Sequence, residues 1–289
     1  MTAAHANMHA NTHAQSQSQS QSPLLRVENL TIADLGTGRA LVHNISFSLA
    51  AGRTLGIVGE SGSGKSLSCK AILGILPENL AVRAGQVHFD GHDVTRYGHA
   101  EWLPLRARRI AAVFQDPGSY LNPSLRVGSQ LAQVLRHRAG VPEAQIHGRA
   151  CSLFAQVGLR DPAAVYARYP HELSGGMLQR IVIAIAVAAD PVLLVADEAT
   201  TALDVTVQAE VLDLLAELRA ARGLAQIFVS HDLAVVAQVA DEVLVMREGA
   251  IVEAGPTREV LTQPVHPYTR LLIRDHREYG LDRFTQAVA

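Results

Sequence analysis

The sequence predicts an α/β fold whose core of strands and helices carries a helical insertion between its early and late strands. Short apolar runs, such as 54–58 and 192–196, are typical of buried strands. A glycine-rich loop follows the first of these runs and precedes a helical pattern. Residues 117–189 are mainly helical in pattern, and alternation of strands and helices returns after them. These three observations together favour an α/β core over an all-helical or all-strand fold.

Hydrophobic periodicity and turn residues predict the individual elements. Glycines in the segment 34–38 separate two strand-like runs, and the segment 247–249 separates another pair as a hairpin. The clearest helix begins with a proline at 142 and ends before Gly158. The expected strands are 24–32, 41–49, 54–58, 85–89, 110–114, 192–196, 226–230, 242–246 and 250–254, and the expected helices are 67–75, 127–138, 142–157 and 207–218.

Composition limits the class of protein. The chain has 289 residues, of which 48% are hydrophobic, so it can bury a sizeable core. Its net charge of −2 argues against a nucleic-acid-binding protein. The two cysteines, Cys69 and Cys151, are far apart and suit a reducing compartment. We expect a cytosolic chain without a signal peptide or a membrane span, because its longest apolar run is only 181–189.

The first 22 residues have a biased composition. Gln and Ser alternate over 15–22, so we expect segment 1–22 to be disordered. His5, His9 and His13 recur every four residues and would share one face of a helix. A metal site on that face is the alternative to a solvated tail, and the composition favours the tail.

The glycine-rich loop has the pattern of a P-loop. Glycines let the backbone N–H groups turn inward onto phosphate oxygens, and the following helix adds partial positive charge. The lysine reaches the β- and γ-phosphates, and the last serine hydroxyl is a Mg²⁺ ligand. A chance glycine turn is the alternative. The expected nucleotide-binding residues are Gly59, Glu60, Ser61, Gly62, Ser63, Gly64, Lys65, Ser66 and Leu67.

Further polar motifs follow this loop along the chain. Gln115 ends one predicted strand, and the pair Asp197-Glu198 ends another. Asp204 comes soon after that pair, and His231 follows the next strand. The segment 174–176, which is Ser174-Gly175-Gly176, opens a helix. Each motif alone is more often a surface residue, a helix cap or a turn, but their joint occurrence after one P-loop indicates a functional set.

These motifs resemble those of the ATP-binding-cassette ATPases, over essentially all of 24–265. The segment 174–176 matches that family's signature loop. The resemblance implies a P-loop NTPase cassette at 23–265 with a RecA-like core, an antiparallel β subdomain and an inserted helical subdomain at about 117–189. Residues 266–289 would form a short C-terminal extension.

The resemblance also implies roles for these residues, with ATP and Mg²⁺ as cofactors. Asp197 and Ser66 would hold Mg²⁺, which Gln115 would sense together with the attacking water. Glu198 would orient or deprotonate that water, and His231 would bond the γ-phosphate and steady Glu198. The signature residues Ser174, Gly175 and Gly176 would contact ATP across a dimer, and Asp204 would couple the two sites.

The family resemblance implies partners as well. A second ATPase subunit, identical or different, would complete the nucleotide sandwich. Two membrane permease subunits and a periplasmic substrate-binding protein would complete a transporter at the cytoplasmic face of a bacterial inner membrane. We expect no nucleic-acid partner, because the chain has no heptads or zinc spacing and is slightly acidic. A regulatory subunit with a dead site is disfavoured, since Lys65, Asp197, Glu198 and His231 are all present.

The cargo is the least determined feature. Segments 64–69, 73–77, 169–172 and 266–269 resemble those of bacterial nickel and peptide importers. Relatives of the peptide branch often extend into a cysteine-bearing tail, and the last segment here carries no cysteine. The signature and the ending therefore favour import of nickel or a nickel chelate, with di- or oligopeptides as the alternative.

Three positions depart from the family pattern. Ala199 stands where the family usually has proline, and Met177 replaces the commoner glutamine. Residues 32–35 lack an aromatic side chain to stack on adenine, so we expect loose selectivity for the base.

The helical insertion begins with a turn-rich segment, 117–125. Such a segment can rearrange with the γ-phosphate, so it is the expected contact with the membrane subunits. We expect Tyr120 and Leu121 to be exposed in this turn, in or beside the groove that receives a membrane-subunit helix. The alternative is that both residues pack beneath their own loop.

Overall fold

A computed structural model describes residues 22–201 and 203–277. Its strands form two sheets, one of four strands and one of six. The strands are β1 (Leu25–Asp34), β2 (Ala40–Leu49), β3 (Thr54–Val58), β4 (Leu80–Phe89), β5 (His92–Asp93), β6 (Ile110–Phe114), β7 (Leu193–Asp197), β8 (Ala225–Ser230), β9 (Glu242–Arg247) and β10 (Ala250–Pro256).

Helices cover the six-stranded sheet and fill the segment between β6 and β7. They are α1 (Lys65–Ile72), α2 (His99–Arg108), α3 (Val127–His137), α4 (Glu143–Gln156), α5 (Pro162–Tyr166), α6 (Gly175–Val187), α7 (Val205–Arg222), α8 (Leu233–Val239), α9 (Thr257–Thr262) and α10 (Pro267–Arg277). Two 3₁₀ turns, Pro117–Tyr120 and Pro170–Glu172, precede α3 and α6 respectively.

The six-stranded sheet has the order β10-β9-β3-β8-β7-β6. Strands β9, β3, β8, β7 and β6 pair in parallel, and only β10 pairs antiparallel. Every residue of β3, β7 and β8 is buried, which explains why their sequences are mainly apolar. The sequence predicted these strands to within one residue at each end, because such runs are a strong local signal.

The four-stranded sheet is antiparallel, with the order β2-β1-β4-β5. Strand β4 begins at Leu80, five residues before the expected start at Gly85. Gly85 has a φ of 86°, and a Cβ atom there would lie 2.4 Å from backbone atoms of Asn29. The register of β1 on β4 shifts beside this point. The glycine and the register shift interrupt the strand pattern in the sequence. For this reason only the second half of the continuous strand β4 was predicted.

The helical segment between β6 and β7 packs around α6. Helix α3 contacts α4, α5 and α6, and all share one apolar core with residues such as Leu131, Phe154 and Ile181. The expected helices at 127–138 and 142–157 occur as α3 and α4. Their clear apolar periodicity explains this agreement.

Several helices were not predicted from periodicity. Helix α2 contains Pro104 and buries only Trp102, so it has no apolar stripe. Helix α8 has seven residues, six of them apolar, and α9 has six residues; neither displays a period of its own. Helix α10 lies in what we expected to be a C-terminal extension, yet its Tyr268 and Ile273 belong to the main core. The expected disordered tail and its three histidines lie almost wholly outside the described residues.

In the part of the chain that the structure describes, no helix is both long and apolar enough to span a membrane.

Close packing of α8 on β3 generates a prediction about stability. A Cβ atom at Gly56 would lie 2.1 Å from Val236 Cγ1, whereas one at Gly148 on α4 would meet nothing within 4 Å. We expect Gly56→Ala to lower the free energy of unfolding by about 1–3 kcal/mol through overpacking. The matched control Gly148→Ala should raise it by about 0.5–1 kcal/mol. Urea denaturation measures both, and equal effects would contradict the packing argument.

Candidate functional site

The candidate site lies at the carboxyl edge of the six-stranded sheet. Asp197 on β7 is in register with Phe114 on β6 and with Val229 on β8. Ser230 on β8 is in register with Val58 on β3. The residues that follow these strands are Gln115, Glu198, His231 and the P-loop. Four segments that are far apart in sequence therefore meet at one edge.

The P-loop joins β3 to α1. Gly59, Gly62 and Gly64 all have positive φ angles, of 152°, 81° and 99°, and Gly64 is the N-terminal cap of α1. The Lys65 ammonium donates hydrogen bonds to the carbonyl oxygens of Gly59, at 2.7 Å, and Glu60, at 2.8 Å. The loop thus curls around its own lysine at a helix N-terminus, an arrangement suited to anions.

Burial shifts the pKa values of Lys65 and Asp197, the two buried charged residues of the site, in opposite directions. Burial lowers the pKa of Lys65, and the nearby carboxylates of Glu198 and Asp197 oppose that effect. Burial raises the pKa of Asp197, which a hydrogen bond from Ser66 opposes. A ligand that brings phosphate to Lys65 and a cation to Asp197 would stabilise both charged forms.

The oxygen atoms of Ser66 and Asp197 fit a magnesium site. The Ser66 hydroxyl donates to Asp197 Oδ1 at 3.0 Å, and Asp197 is only 6% exposed. A hydroxyl and a carboxylate are hard oxygen donors, and Mg²⁺ usually combines one or two such ligands with phosphate oxygens. The donor set therefore agrees with the metal that the sequence predicts.

Glu198 and His231 face each other beside this pair. His231 Nδ1 lies 4.0 Å from Glu198 Oε1, and the Glu198 N–H donates to the Val229 carbonyl at 3.0 Å. Glu198 has a φ of 51°, a left-handed conformation that is uncommon for glutamate. The backbone hydrogen bond ties Glu198 to β8 immediately after β7 ends.

Gln115 is exposed in the turn after β6, the strand next to β7. Its position is at the same edge as Glu198, but no hydrogen bond of its side chain occurs in the described structure. Ala199, the departure from the family pattern, is only 2% exposed. Its small side chain is therefore buried.

The signature segment 174–176 belongs to the helical layer. Ser174 caps α6 by accepting a hydrogen bond from the Met177 N–H at 3.4 Å. A Cβ atom at Gly176 would lie 2.6 Å from Val207 Cγ1, so the starts of α6 and α7 are in close contact. Asp204 caps α7 by accepting from the Val207 N–H at 3.0 Å. Ser174 and Asp204 are both exposed, and in the described structure no hydrogen bond joins either to the P-loop.

The structure corrects one expectation about the turn after β6. Tyr120 is 56% exposed, as expected, and its ring stacks on Phe114 at a centroid distance of 5.2 Å. Leu121 is only 4% exposed and belongs to the core of the helical layer. The expectation that Leu121 is exposed was wrong because the 3₁₀ turn at Pro117–Tyr120 directs it inward.

Sequence reasoning missed two residues that support the P-loop from outside. The hydroxyl of Tyr268 on α10 accepts a hydrogen bond from the Glu60 N–H at 3.1 Å. The N–H of Gly249, in the β9–β10 hairpin, donates to the Ser63 carbonyl at 3.1 Å. Tyr268 lies in a recognisable segment, 266–269, but neither periodicity nor spacing indicates that it reaches the loop.

Comparison with known proteins extends these observations. The ABC transporter family model matches residues 42–201. The chain is 42% identical over 262 residues to the dipeptide transport ATP-binding protein DppD of Escherichia coli K12, covering 90% of this chain and 80% of the relative. It is 45% identical to the Lactococcus lactis protein of the same name over 229 residues, which are 79% of this chain and 66% of the relative.

Two further matches are a relative whose name refers to metal import and a solved structure. The metal-staphylopine import system ATP-binding protein CntD of Staphylococcus aureus is 40% identical over 250 residues, covering 86% of this chain and 92% of the relative. The solved dimeric structure of the ATP-binding cassette MJ0796 in a post-hydrolysis state, bound to ADP and Pi, superposes with a TM-score of 0.71. That match has 25% identity and covers 81% of this chain and 99% of the other.

Proposed function

The chain belongs to the ABC transporter family and is a transporter ATPase, and we propose that it powers a bacterial importer of di- or oligopeptides. One observation carries the proposal: the P-loop, Asp197, Glu198 and His231 meet at one sheet edge in a chain 42% identical to a dipeptide transport protein. The first part supports ATP hydrolysis, and the second supports the cargo class.

The cargo proposal differs from the preference for nickel that the sequence motifs suggested. The relatives support the peptide alternative better, because two of the proteins described above carry dipeptide transport in their names. Import of a metal chelate is a second candidate, favoured by the 40% identity to the metal-staphylopine protein. Nickel itself has no specific support among these relatives.

The residues of this chain would divide the work of hydrolysis. The P-loop N–H groups and Lys65 would bind the phosphates, and Ser66 and Asp197 would hold Mg²⁺, which neutralises phosphate charge. Glu198 would accept a proton from the attacking water, and His231, 4.0 Å away, would orient that carboxylate. Gln115 would contact the water and the metal from the next strand.

A second ATPase subunit would complete this site. Ser174 and Gly175, at the N-terminus of α6, are exposed, and within the described structure neither makes a hydrogen bond to the P-loop. A partner's signature segment would supply backbone N–H groups to the γ-phosphate, as a helix N-terminus suits an anion. The dimeric form of MJ0796 bound to ADP and Pi supports this arrangement.

An apolar groove on the other side of β6 is the proposed contact with a membrane permease subunit. Its volume is about 420 Å³, and Ala111, Ala112 and Val182 contribute to its apolar lining. Arg106, Arg108, Arg138 and Tyr120 also line it. Apolar lining with three cations favours a short helix that presents an apolar face and acidic side chains. The chain would thereby be held at the cytoplasmic face of the inner membrane.

The first test concerns the catalytic base. We expect Glu198→Gln to retain ATP binding and to slow hydrolysis by about 10²–10⁴-fold, because the water loses its proton acceptor while the P-loop is unchanged. Nucleotide titration and phosphate release measure the two effects. Glu217→Gln, an exposed change on α7, should match the wild type. Near-normal turnover of Glu198→Gln would exclude this role.

The second test concerns the cargo. In cells that depend on this chain, Lys65→Ala should abolish uptake of a radiolabelled dipeptide, because the phosphates lose their main cation. Nickel uptake measured in the same cells should not change. Loss of nickel uptake with intact dipeptide uptake would favour the metal alternative instead.

The third test concerns the groove. Tyr120→Ser should preserve ATP binding and weaken co-purification with the permease subunits, because it removes an exposed ring from the groove. Tyr120→Phe keeps the ring and its stacking on Phe114, and should assemble normally. Leu121 is not substituted, because it is buried and its replacement would change the stability of the chain as well as its assembly with the permease subunits. Normal assembly and uptake by Tyr120→Ser would place the contact elsewhere.

A further inference from the structure

The first turn of α10 lies against the outer side of the P-loop. Tyr268, the second residue of this helix, is 3% exposed, and its hydroxyl accepts the Glu60 N–H at 3.1 Å. Glu60 is the second residue of the P-loop. The contact joins residues 208 positions apart, so it links the last described helix to the first turn of the loop.

The start of α10 is fixed independently of the loop. Glu253 on β10 accepts the N–H groups of Val265, at 2.7 Å, and His266, at 3.0 Å. His266 Nδ1 in turn accepts the Tyr268 N–H at 3.2 Å, and Pro267 occupies the first helical position. The backbone that carries Tyr268 is therefore held by the sheet and does not depend on Glu60.

The ring of Tyr268 is also held in place by its neighbours. The Arg247 guanidinium lies 5.0 Å from the ring centroid, and the ring belongs to the same apolar core as Ile273 and α8. Burial raises the pKa of Tyr268, so the phenol is neutral at physiological pH. A tyrosine has two side-chain torsions, so a ring packed in this way presents its hydroxyl at a fixed point.

A second contact holds the P-loop further along. The Gly249 N–H donates to the Ser63 carbonyl at 3.1 Å, and Gly249 lies two residues after Arg247. Ser61 and Gly62, between the two held positions, are exposed. The exposed part of the loop is thus held at both ends. Tyr268 holds it at Glu60, and the β9–β10 hairpin holds it at Ser63.

We propose that Tyr268 is a positioning residue for nucleotide binding, which acts by fixing the Glu60 N–H and with it the phosphate-binding conformation of the P-loop. This inference rests on the proposed function, in which the loop binds the phosphates of ATP. Helix α10 is then part of the nucleotide site rather than an extension beyond the cassette. Without the hydroxyl, the Glu60 N–H loses a hydrogen-bond partner of fixed position, and the free loop samples more conformations. Binding must then select the phosphate-binding conformation from among them, which lowers the affinity.

The test removes only the hydroxyl, with Tyr268→Phe in the full chain. We expect calorimetric titration with Mg-ADP to give an affinity about threefold to tenfold weaker, the effect typical of one hydrogen bond. Turnover at saturating ATP should stay within twofold, so the change appears in KM rather than in kcat. Hydrogen exchange in the absence of nucleotide should accelerate at residues 59–62 and remain unchanged at 247–250.

Three control variants separate positioning from stability and from the proposed function. Tyr166→Phe removes a hydroxyl in the helical layer and should bind Mg-ADP like the wild type. Ile273→Ala weakens the packing of α10 but keeps the phenol, so it should lower Tm with less than a twofold change in affinity. Lys65→Ala should abolish binding, and retained binding there would contradict the proposed function instead.

Three results would overturn the inference. One is an Mg-ADP affinity of Tyr268→Phe within twofold of the Tyr166→Phe control. The second is an equal loss of affinity in Ile273→Ala at an equal loss of Tm, which would assign the effect to stability alone. Exchange at residues 59–62 that does not accelerate would likewise show that the hydroxyl does not hold the loop.

Discussion

The parallel register of β3, β8, β7 and β6 is the constraint on which the candidate site depends. Pairing of Val58 with Ser230 and of Asp197 with both Val229 and Phe114 brings four chain segments to one edge. Side chains alternate between the faces of a strand, so a slip of one residue would turn Asp197 away from Ser66. Strands β3, β7 and β8 avoid such a slip because both of their faces are buried, which makes each register distinct in packing. The register of these mainly apolar strands thus determines where the polar groups at their carboxyl ends meet.

Lys65 and Asp197 lie at that edge, and burial disfavours the charged form of each. Burial lowers the pKa of Lys65 and raises that of Asp197, while their mutual attraction and the carboxylate of Glu198 reduce the effect on the lysine. Glu198 adds a left-handed backbone conformation, which costs of order 1–3 kcal/mol for a residue other than glycine. These costs fall on the groups that a phosphate and a hard cation would contact. The same placement therefore reduces stability in the free chain and increases the gain on binding an anion with Mg²⁺.

Sequence reasoning reached the parts of this arrangement that are local. The strand, loop and helix around Lys65 are contiguous, and the carboxyl ends of parallel strands must share an edge, so Asp197 and His231 could be placed near the loop from their strand positions alone. Burial of Leu121 depends on how the 3₁₀ turn packs on the helical layer, which no local pattern encodes. The contact of Tyr268 with Glu60 spans most of the chain and depends on the position of α10 over α8. Long-range packing of this kind is visible only in the folded structure.

Strand β6 connects the two surfaces that the proposed function requires. Its last residue, Phe114, precedes Gln115 at the edge of the candidate site and stacks on Tyr120 beside the groove. Ala111 and Ala112 on the same strand also line the groove. A strand in register with β7 is stiff along its length, since each residue from Ile110 to Phe114 pairs with a residue from Leu193 to Asp197. A ligand that displaces Gln115 relative to Asp197 therefore acts on a single element that already borders the groove. In the proposed function, coupling between the two surfaces would need no chain of intermediate side chains, because the turn after β6 borders both of them.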